Sequence, residues 1–472
     1  MSLELNEDRR EVIWNAQESG MKLKIALVGA GSREFGPATL RDILLSDTLA
    51  VEDLEVTLMD LNEKSLHAVE TYARELARVL GRRVTLSSTT DLDEALGSAA
   101  FVVTAIEIRR YFYWAQDFHV PRLHGFRQIY GENGGPGGLF HALRNMGPTL
   151  DVARAMQRRC PDAWLLNYTN PLTKLCEAAT RLSTIRTVGL CHGVFHAKKQ
   201  LSEILGVPLG DIEAYASGLN HFTWFESIRH RVTGEDLYPR LREREREAQW
   251  LGQWDEIALS RILLRTFGLY PSPGANHIGE YIRWAEEFLG SSVLQFFYDP
   301  VDGHPWDTGR VPTWIYNLHE GFVDRELFPE PDARPLVLRV DPDRIEPSGE
   351  LAIPIIEGIF CGKETELAAI NVPNEGQVPG VPLGSVVETP ATVGLDGLRP
   401  RQMAALPEGV LALIRRQTSI NALLVDAFES GSRAKLLQAL LLEPTTQSYR
   451  SAVALLNKMC DLQADVLPPF AW

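Results

Sequence analysis

The chain is expected to be an α/β protein, with a doubly wound parallel sheet in its N-terminal part and an α+β domain behind it. Three observations predict this. Short apolar runs alternate with helix-like stretches up to about residue 195, and several of these runs are apolar on both faces, as strands covered by helices on each side must be. The first run ends in a glycine turn that opens a helix. Past about residue 196 the alternation stops and helix-like segments dominate.

The strand-like runs come first. Leu23–Gly29 is short, apolar and ends in glycine, and Glu55–Asp60 alternates and ends in an acid. Val84–Ser88, Ala100–Ile106, Ala163–Asn167 and Thr187–Leu190 follow. Helices are expected over Pro37–Ser46, Glu63–Leu80, Leu92–Gly97, Leu139–Arg159 and Leu172–Arg181. The first domain is placed at residues 21–195. In the second, residues 196–472, helices are expected over His196–Leu205 and Arg240–Phe267, and a helical tail over about 408–466. Glu213–Ser217, Trp224–Arg231, Ala352–Phe360 and Ser385–Thr389 read as strands, and a Pro/Gly/Asp-rich stretch covers about 297–350.

Composition narrows the function. A length of 472 residues exceeds one ordinary core. Apolar residues at 45% and charged residues at 23% describe a globular chain, and no apolar run nears the roughly 18 residues of a membrane helix. Residues 1–20 are charged and helix-like, so they read as an extension rather than a leader with an apolar core, and a cytoplasmic location is expected. A net charge of −15 argues against nucleic-acid partners, which reward counterion release by basic proteins. The five cysteines are widely spaced, with neither CxxC pairs nor a disulfide framework, so reduced thiols are expected.

Four segments carry chemistry. Gly29-Ala30-Gly31-Ser32, with Gly36-Pro37, sits between a strand and a helix, where a pyrophosphate can rest on the helix N-terminus. Asp60 ends the next strand, where a carboxylate takes the ribose hydroxyls of NAD. This is the Rossmann arrangement. Cys191 and His192 stand just beyond a buried strand, and His221 opens another in Ser217–Phe225. A thiolate and an imidazole can hold a borderline divalent metal and leave positions open for substrate; the plainer alternative is a buried thiol and a satisfied core histidine. Asn167-Tyr168-Thr169-Asn170-Pro171 turns from strand to helix and offers amides to a polar ligand, or serves as a capping turn alone. Gly131–Arg144 is a glycine-dense loop that becomes a helix, suited to close ligand approach or to flexibility.

Taken as an ordered set, the GAGS turn, Asp60, NYTNP, GLCHG, SGLNHFTWF and the loop-and-strand run Leu367–Thr389 resemble glycoside hydrolase family 4, from about residue 22 to the C-terminus. The resemblance implies a lactate/malate dehydrogenase-like architecture, a resident NAD, and a divalent metal, usually Mn2+. It implies chemistry outside the two-carboxylate scheme: hydride leaves C3 of the sugar, C2 loses a proton, the C1 substituent is eliminated, water adds and the hydride returns. It also implies a homo-oligomer, dimer or tetramer.

Residue by residue, the resemblance makes Cys191 and His221 the metal ligands and Asn170 a substrate contact. Gly29, Gly31, Ser32, Asp60 and Asn167 would hold the cofactor, and Asp117 would be the acid for the leaving group. Tyr281, Glu280 and His277 remain as candidates for the C2 base, since Ala275-Asn276 stands where an acid is expected. Cys191-His192-Gly193 resembles the α-glucuronidase and α-galacturonidase branch. A uronide substrate needs a cation for its C6 carboxylate, and Arg144, Arg283 and His277 are candidates, with His192 beside the substrate. An α-linked hexuronide is therefore the expected substrate. A neutral glycoside, or net dehydrogenation of a sugar or hydroxy acid, is the alternative.

Overall fold

Short runs rich in Val, Ile, Leu and Phe make strands that are largely covered on both faces, and a polar, partly exposed run makes the edge strand. In the computed structural model, which describes residues 22–51, 53–247, 258–289 and 336–472, these are β1 (Leu23–Val28), β2 (Leu54–Met59), β3 (Thr85–Thr89), β4 (Phe101–Thr104), β5 (Trp164–Asn167) and β6 (Arg186–Gly189). Between and after them come α1 (Phe35–Leu45), α2 (Glu63–Leu80), α3 (Leu92–Leu96), α4 (Arg110–Leu123), α5 (Gly135–Arg159) and α6 (Leu172–Leu182). The strands pair in parallel in the order β3-β2-β1-β4-β5-β6, the order of dinucleotide-binding sheets. Caps fix the helix ends: Asn62 Oδ1 accepts from the amides of Lys64 and Ser65 at the start of α2, and Gly81 ends it in the left-handed conformation.

The second part supplies α7 (Gly193–Leu205), β7 (Ile212–Leu219), β8 (Phe222–His230), α8 (Tyr238–Glu247), α9 (Ala258–Phe267), β9 (Pro271–Ser272), α10 (Ala275–Gly279), α11 (Glu286–Leu289) and α12 (Ala352–Cys361). After these come β10 (Thr365–Pro373), β11 (Val386–Gly394), β12 (Gly397–Pro400), α13 (Glu408–Ser430), α14 (Arg433–Leu442) and α15 (Tyr449–Leu462). Its strands do not form a separate sheet. Beyond β6 the same sheet runs on as β10-β11-β7-β8-β9, antiparallel. The joint between its parallel and antiparallel halves is narrow, a single pair, Gly189 with Asn371.

Two expectations change. Ala352–Phe360, read as a strand, is helix α12. It lies between α1 and the face of β11 and is buried on nearly every side, so an apolar run gave no period to tell helix from strand. The helix expected over Arg240–Phe267 is seen as α8 and α9, with residues 248–257 outside the described ones. The expected extension 1–20, and residues up to 335 of the Pro/Gly/Asp-rich stretch, also lie outside them. Among the described residues no helix is long and apolar enough to cross a membrane.

The site lies along the C-terminal ends of β1, β4, β5 and β6. An apolar cluster of Trp114, Phe118, Tyr130, Phe222, Trp224, Ile278 and Tyr281 backs it. That cluster joins α4, the β7–β8 hairpin and α10.

Candidate active site

The turn after β1 has the geometry its glycines foretold. Gly29 has φ +83°, and a Cβ there would lie 2.4 Å from the Ala105 carbonyl oxygen. Gly31 N donates to Asp60 Oδ2 and Asn62 N to Asp60 Oδ1, both at 2.8 Å, so the acid ending β2 is pinned beside the turn. Ser32 Oγ accepts from Gly36 N (2.8 Å) and closes the loop at the start of α1. A close backbone approach, a helix N-terminus and a fixed carboxylate suit a dinucleotide.

Asn167 plays a different part from the one expected. Its Oδ1 accepts from Thr104 Oγ1 (2.9 Å) and Thr169 N (3.2 Å), and its Nδ2 donates to Thr169 O (3.0 Å). The side chain is spent on shaping the turn that presents Asn170. The Asn170 carbonyl accepts from Asn145 Nδ2 (3.0 Å), which also donates to Glu107 Oε1 (3.0 Å).

Four segments far apart in the chain meet beside this turn. Cys191 follows β6, and His221 lies in the tight turn between β7 and β8. Their Sγ and Nε2 are 3.4 Å apart. His221 has φ +60°, a costly conformation for a side chain with a Cβ. His277, on α10, packs its ring 4.1 Å from that of His221. Glu132 comes from the glycine-dense loop before α5. One ligand atom each of Glu132, His221 and His277 lie within 4.8 Å of one another. Asn133 Nδ2 is 3.0 Å from both His221 Nδ1 and Glu132 Oε2. Arg110 Nη2 donates to Glu132 Oε1 (2.5 Å), and His141 links the Glu132 carbonyl (2.7 Å) to Glu107 Oε2 (2.9 Å).

The charges follow from this packing. Burial, and then the neighbouring His277, pull the His221 imidazole well below the usual histidine range. Burial brings His277 down to about 4, so both rings are neutral, the state in which imidazole ligates metal. Burial, with Glu388 behind it, pushes the Cys191 thiol up to about 12. A thiolate there needs a cation to hold it. Burial alone would raise the Glu132 carboxyl, but Arg110 brings it below its usual range. His277 Nδ1 and Glu280 Oε2 are buried with no hydrogen-bond partner among the described residues. A thiol, two neutral imidazoles, an ionised carboxylate and orphaned polar atoms fit a borderline divalent metal.

Glu280 sits against this cluster. Its Oε1 accepts from the amides of Glu132 (2.7 Å) and Asn133 (2.9 Å), and its Oε2 is 4.0 Å from His277 Nδ1. Burial, with Glu132 nearby, pushes its carboxyl well above the usual range. Tyr281 behaves differently from a base activated by cations. Burial and the surrounding carboxylates, Glu280 first among them, raise its phenol further, and the hydroxyl reaches Asn220 O at 3.5 Å.

The expected leaving-group acid and carboxylate binder turn out to hold each other. Arg144 Nη2 donates to Asp117 Oδ2 (2.9 Å), and Gln463 Nε2 donates to Asp117 Oδ1 (2.8 Å). Arg144 Nη1 donates to Gln463 Oε1 (3.0 Å). Both charged groups are buried, at 1% and 0% side-chain exposure. A D-x-x-x-P element on the chain cannot reveal that its acid faces inward from α4 onto α5. His192 Nδ1 pairs with Glu350 Oε1 (3.0 Å), and Arg283 is exposed.

The residues not singled out beforehand are Glu107, Arg110, Glu132, Asn133 and Lys174. Glu132 and Asn133 stand within the glycine-rich motif, but there the glycines draw the eye. Gly134 marks the reason for that density: a Cβ on it would lie 2.7 Å from Glu280 Cβ.

Comparison with known proteins follows the same outline. Residues 24–207 match the profile of the family 4 glycosyl hydrolases, and residues 216–446 that of their C-terminal domain. An alpha-glucosidase of Erwinia rhapontici is 33% identical over 94% of this chain and 98% of its own. An alpha-galacturonidase of Thermoanaerobacter italicus is 27% identical over 93% and 96%. A 6-phospho-alpha-glucosidase from gut microorganisms, solved with NAD and Mn2+, superposes with a TM-score of 0.74 over 95% of this chain and 100% of its own. At 23% identity that likeness concerns the fold.

Proposed function

Since the chain belongs to the family 4 glycosyl hydrolases, we propose that it is an α-glycosidase working with NAD and a divalent metal such as Mn2+, and that its sugar is a neutral hexoside. The meeting of Cys191 with His221, and of His221 with His277 and Glu132, carries the first part of this reading. Commitment of the cations carries the second. Arg144 is bound to Asp117, His192 to Glu350 and Arg110 to Glu132. Glu107 and Glu132, both held below the usual carboxylate range, line the same region, so an anionic C6 would meet carboxylates there. The 33% identical alpha-glucosidase supports the same choice.

In this reading Cys191 and His221 would hold the metal, with Glu132 and His277 beside them, and Gly29, Gly31, Ser32 and Asp60 would hold the dinucleotide. When bound, the pair supplies reversible hydride exchange at a sugar carbon and Lewis acidity at the neighbouring oxygen. Glu280 exchanges the proton: two backbone amides fix Oε1, and burial holds the carboxyl well above its usual range, so it keeps a proton that an exposed carboxyl would release. Asn170 presents its amide to a sugar hydroxyl from the end of β5. Asp117 and Arg144 stay outside the reaction and brace α4 on α5.

A hexuronide is the second reading, favoured by Cys191-His192-Gly193 and by the alpha-galacturonidase relative. The test is release of aryl alcohol from aryl α-glucoside, α-galactoside, α-galacturonide and α-glucuronide, with and without NAD+ and Mn2+, following reduced cofactor in parallel. The proposal expects release from a neutral α-glycoside that requires both additions and accumulates no reduced cofactor. Release from the uronides alone would transfer the function to the second reading. Cofactor reduction without aryl release would make the chain a dehydrogenase on this frame.

A further inference from the structure

Gly189, Asn371, Glu388 and Gly218 stand in one row across β6, β10, β11 and β7. On either side of the β10–β11 ribbon the backbone ladder thins to a single pair, Gly189 with Asn371 and Glu388 with Gly218. The segments that carry Cys191 and His221 leave the sheet at these two weak joints, Cys191 just after Gly189 and His221 just after Gly218. Side chains cross where the ladder does not. Glu388 Oε2 accepts from Asn220 Nδ2 (2.7 Å) and from Asn371 Nδ2 (3.2 Å). Asn371 Nδ2 also reaches the Gly189 carbonyl (3.4 Å), and Asn220 is the residue before His221. One carboxylate oxygen therefore holds the β7–β8 turn directly and the end of β6 through Asn371. The glycines permit the closeness: a Cβ on Gly189 would lie 3.0 Å from Asn371 Cβ, and one on Gly218 2.5 Å from the Phe222 carbonyl oxygen. Asn220, Asn371 and Glu388 are all buried. A buried acid held by amides costs folding energy that an apolar side chain would not, so the sheet alone gives no reason for an acid at this place.

We propose that Glu388 is a positioning residue of the metal centre: by anchoring both segments to the β10–β11 ribbon, it sets the separation of Cys191 and His221, whose Sγ and Nε2 lie 3.4 Å apart. It acts through Asn220 and Asn371 and not as a ligand. A single oxygen that accepts from both amides makes the two segments move together, so a shift of the β7–β8 turn is felt at β6. Two ligands from opposite sides of a narrow joint need such a tie to meet at one ion. The inference rests on the reading of Cys191 and His221 as metal ligands.

Titration of the full chain with Co2+ tests it, because a thiolate ligand gives bound Co2+ a near-ultraviolet charge-transfer band that imidazole and carboxylate ligands do not. Glu388→Gln keeps an acceptor for the two amides and is expected to keep the band. Glu388→Ala has none. It is expected to bind Co2+ about 10- to 100-fold more weakly and to lose the band at saturation, since Glu132, His221 and His277 can still hold the ion while Cys191 no longer meets it. Thermal midpoints are read alongside, because a purely structural residue lowers the midpoint and leaves the band of the folded protein intact. That result in Glu388→Ala would overturn the inference, and so would equal loss of the band in Glu388→Gln. If Glu388→Ala does not fold, Asn371→Ala decides. It cuts the tie to β6, leaves Asn220 on Glu388 and is expected to weaken the band; an undiminished band there would overturn the inference. An unaltered chain that binds Co2+ without the band, or not at all, would instead overturn Cys191 and His221 as the ligand pair on which this inference stands.

Discussion

His221 pays a backbone cost that glycine would avoid, and the turn keeps an imidazole there nonetheless. Cys191 is its partner, and Cys191→Ser is expected to weaken Mn2+ binding by at least about 100-fold, measured by metal titration. Retained affinity would remove the thiol from the centre. Glu280→Gln keeps the acceptor for the Glu132 and Asn133 amides but not the exchangeable proton. Its kcat is expected to fall by about 10²- to 10⁴-fold with little change in thermal midpoint, and a large loss of stability with kcat intact would make Glu280 a structural residue. At this scale the meeting of Cys191 with His221, 3.4 Å apart, was legible from the ordered set of motifs and not from residue type, since their spacing alone fits a buried thiol and a satisfied core histidine. The sequence was not legible where an ordinary charge could face either way. Asp117 and Arg144 read as ligands of a substrate and are ligands of each other. Asn167 reads as a cofactor contact and closes its own turn.

The pairing of α4 with α5 depends on that buried ion pair. Asp117→Asn or Arg144→Met leaves one uncompensated member of the Asp117–Arg144–Gln463 cluster. Each is expected to cost about 3–5 kcal/mol in urea unfolding. Turnover of substrates with good and poor leaving groups should fall alike, whereas a loss confined to poor leaving groups would restore Asp117 as the acid. The first glycine of the β1–α1 turn is constrained in another way. Gly29→Ala puts a Cβ onto the Ala105 carbonyl at φ +83°, and NAD+ affinity measured by calorimetry is expected to drop by about tenfold or more. Unchanged affinity would mean that the turn tolerates the shift. Elements with a clear period or a glycine boundary, such as α2 and β1, were legible in the chain. Helix α12, apolar all round, and helix α4, whose aromatic run Tyr111–Trp114 shows no polar face, take their identity from the surfaces they meet.

Across the whole molecule, buried acids set the pH response. Burial raises the carboxyls of Glu177, Glu388 and Glu443 to about 7 each. Between the usual value of 4.5 and about 7 the folded chain keeps protons on these acids that the unfolded chain releases, so their contribution to stability falls as pH rises through that window. Below pH 6.5 the depressed imidazoles of His221 and His277 act the other way. The thermal midpoint of the metal-free protein is therefore expected to decline from about pH 6.5 to pH 8, and Glu388→Gln to flatten that decline. A midpoint that holds steady or rises would show these acids to be ionised in the fold. The narrow joint between β6 and β10 gives the assembly one more property. Cys191 leaves the sheet on one side of that joint, and His221 and His277 approach from the other. The centre is therefore shared across the joint: β1–β6 bring the dinucleotide turn and Cys191, and the two histidines arrive only when the second half has docked.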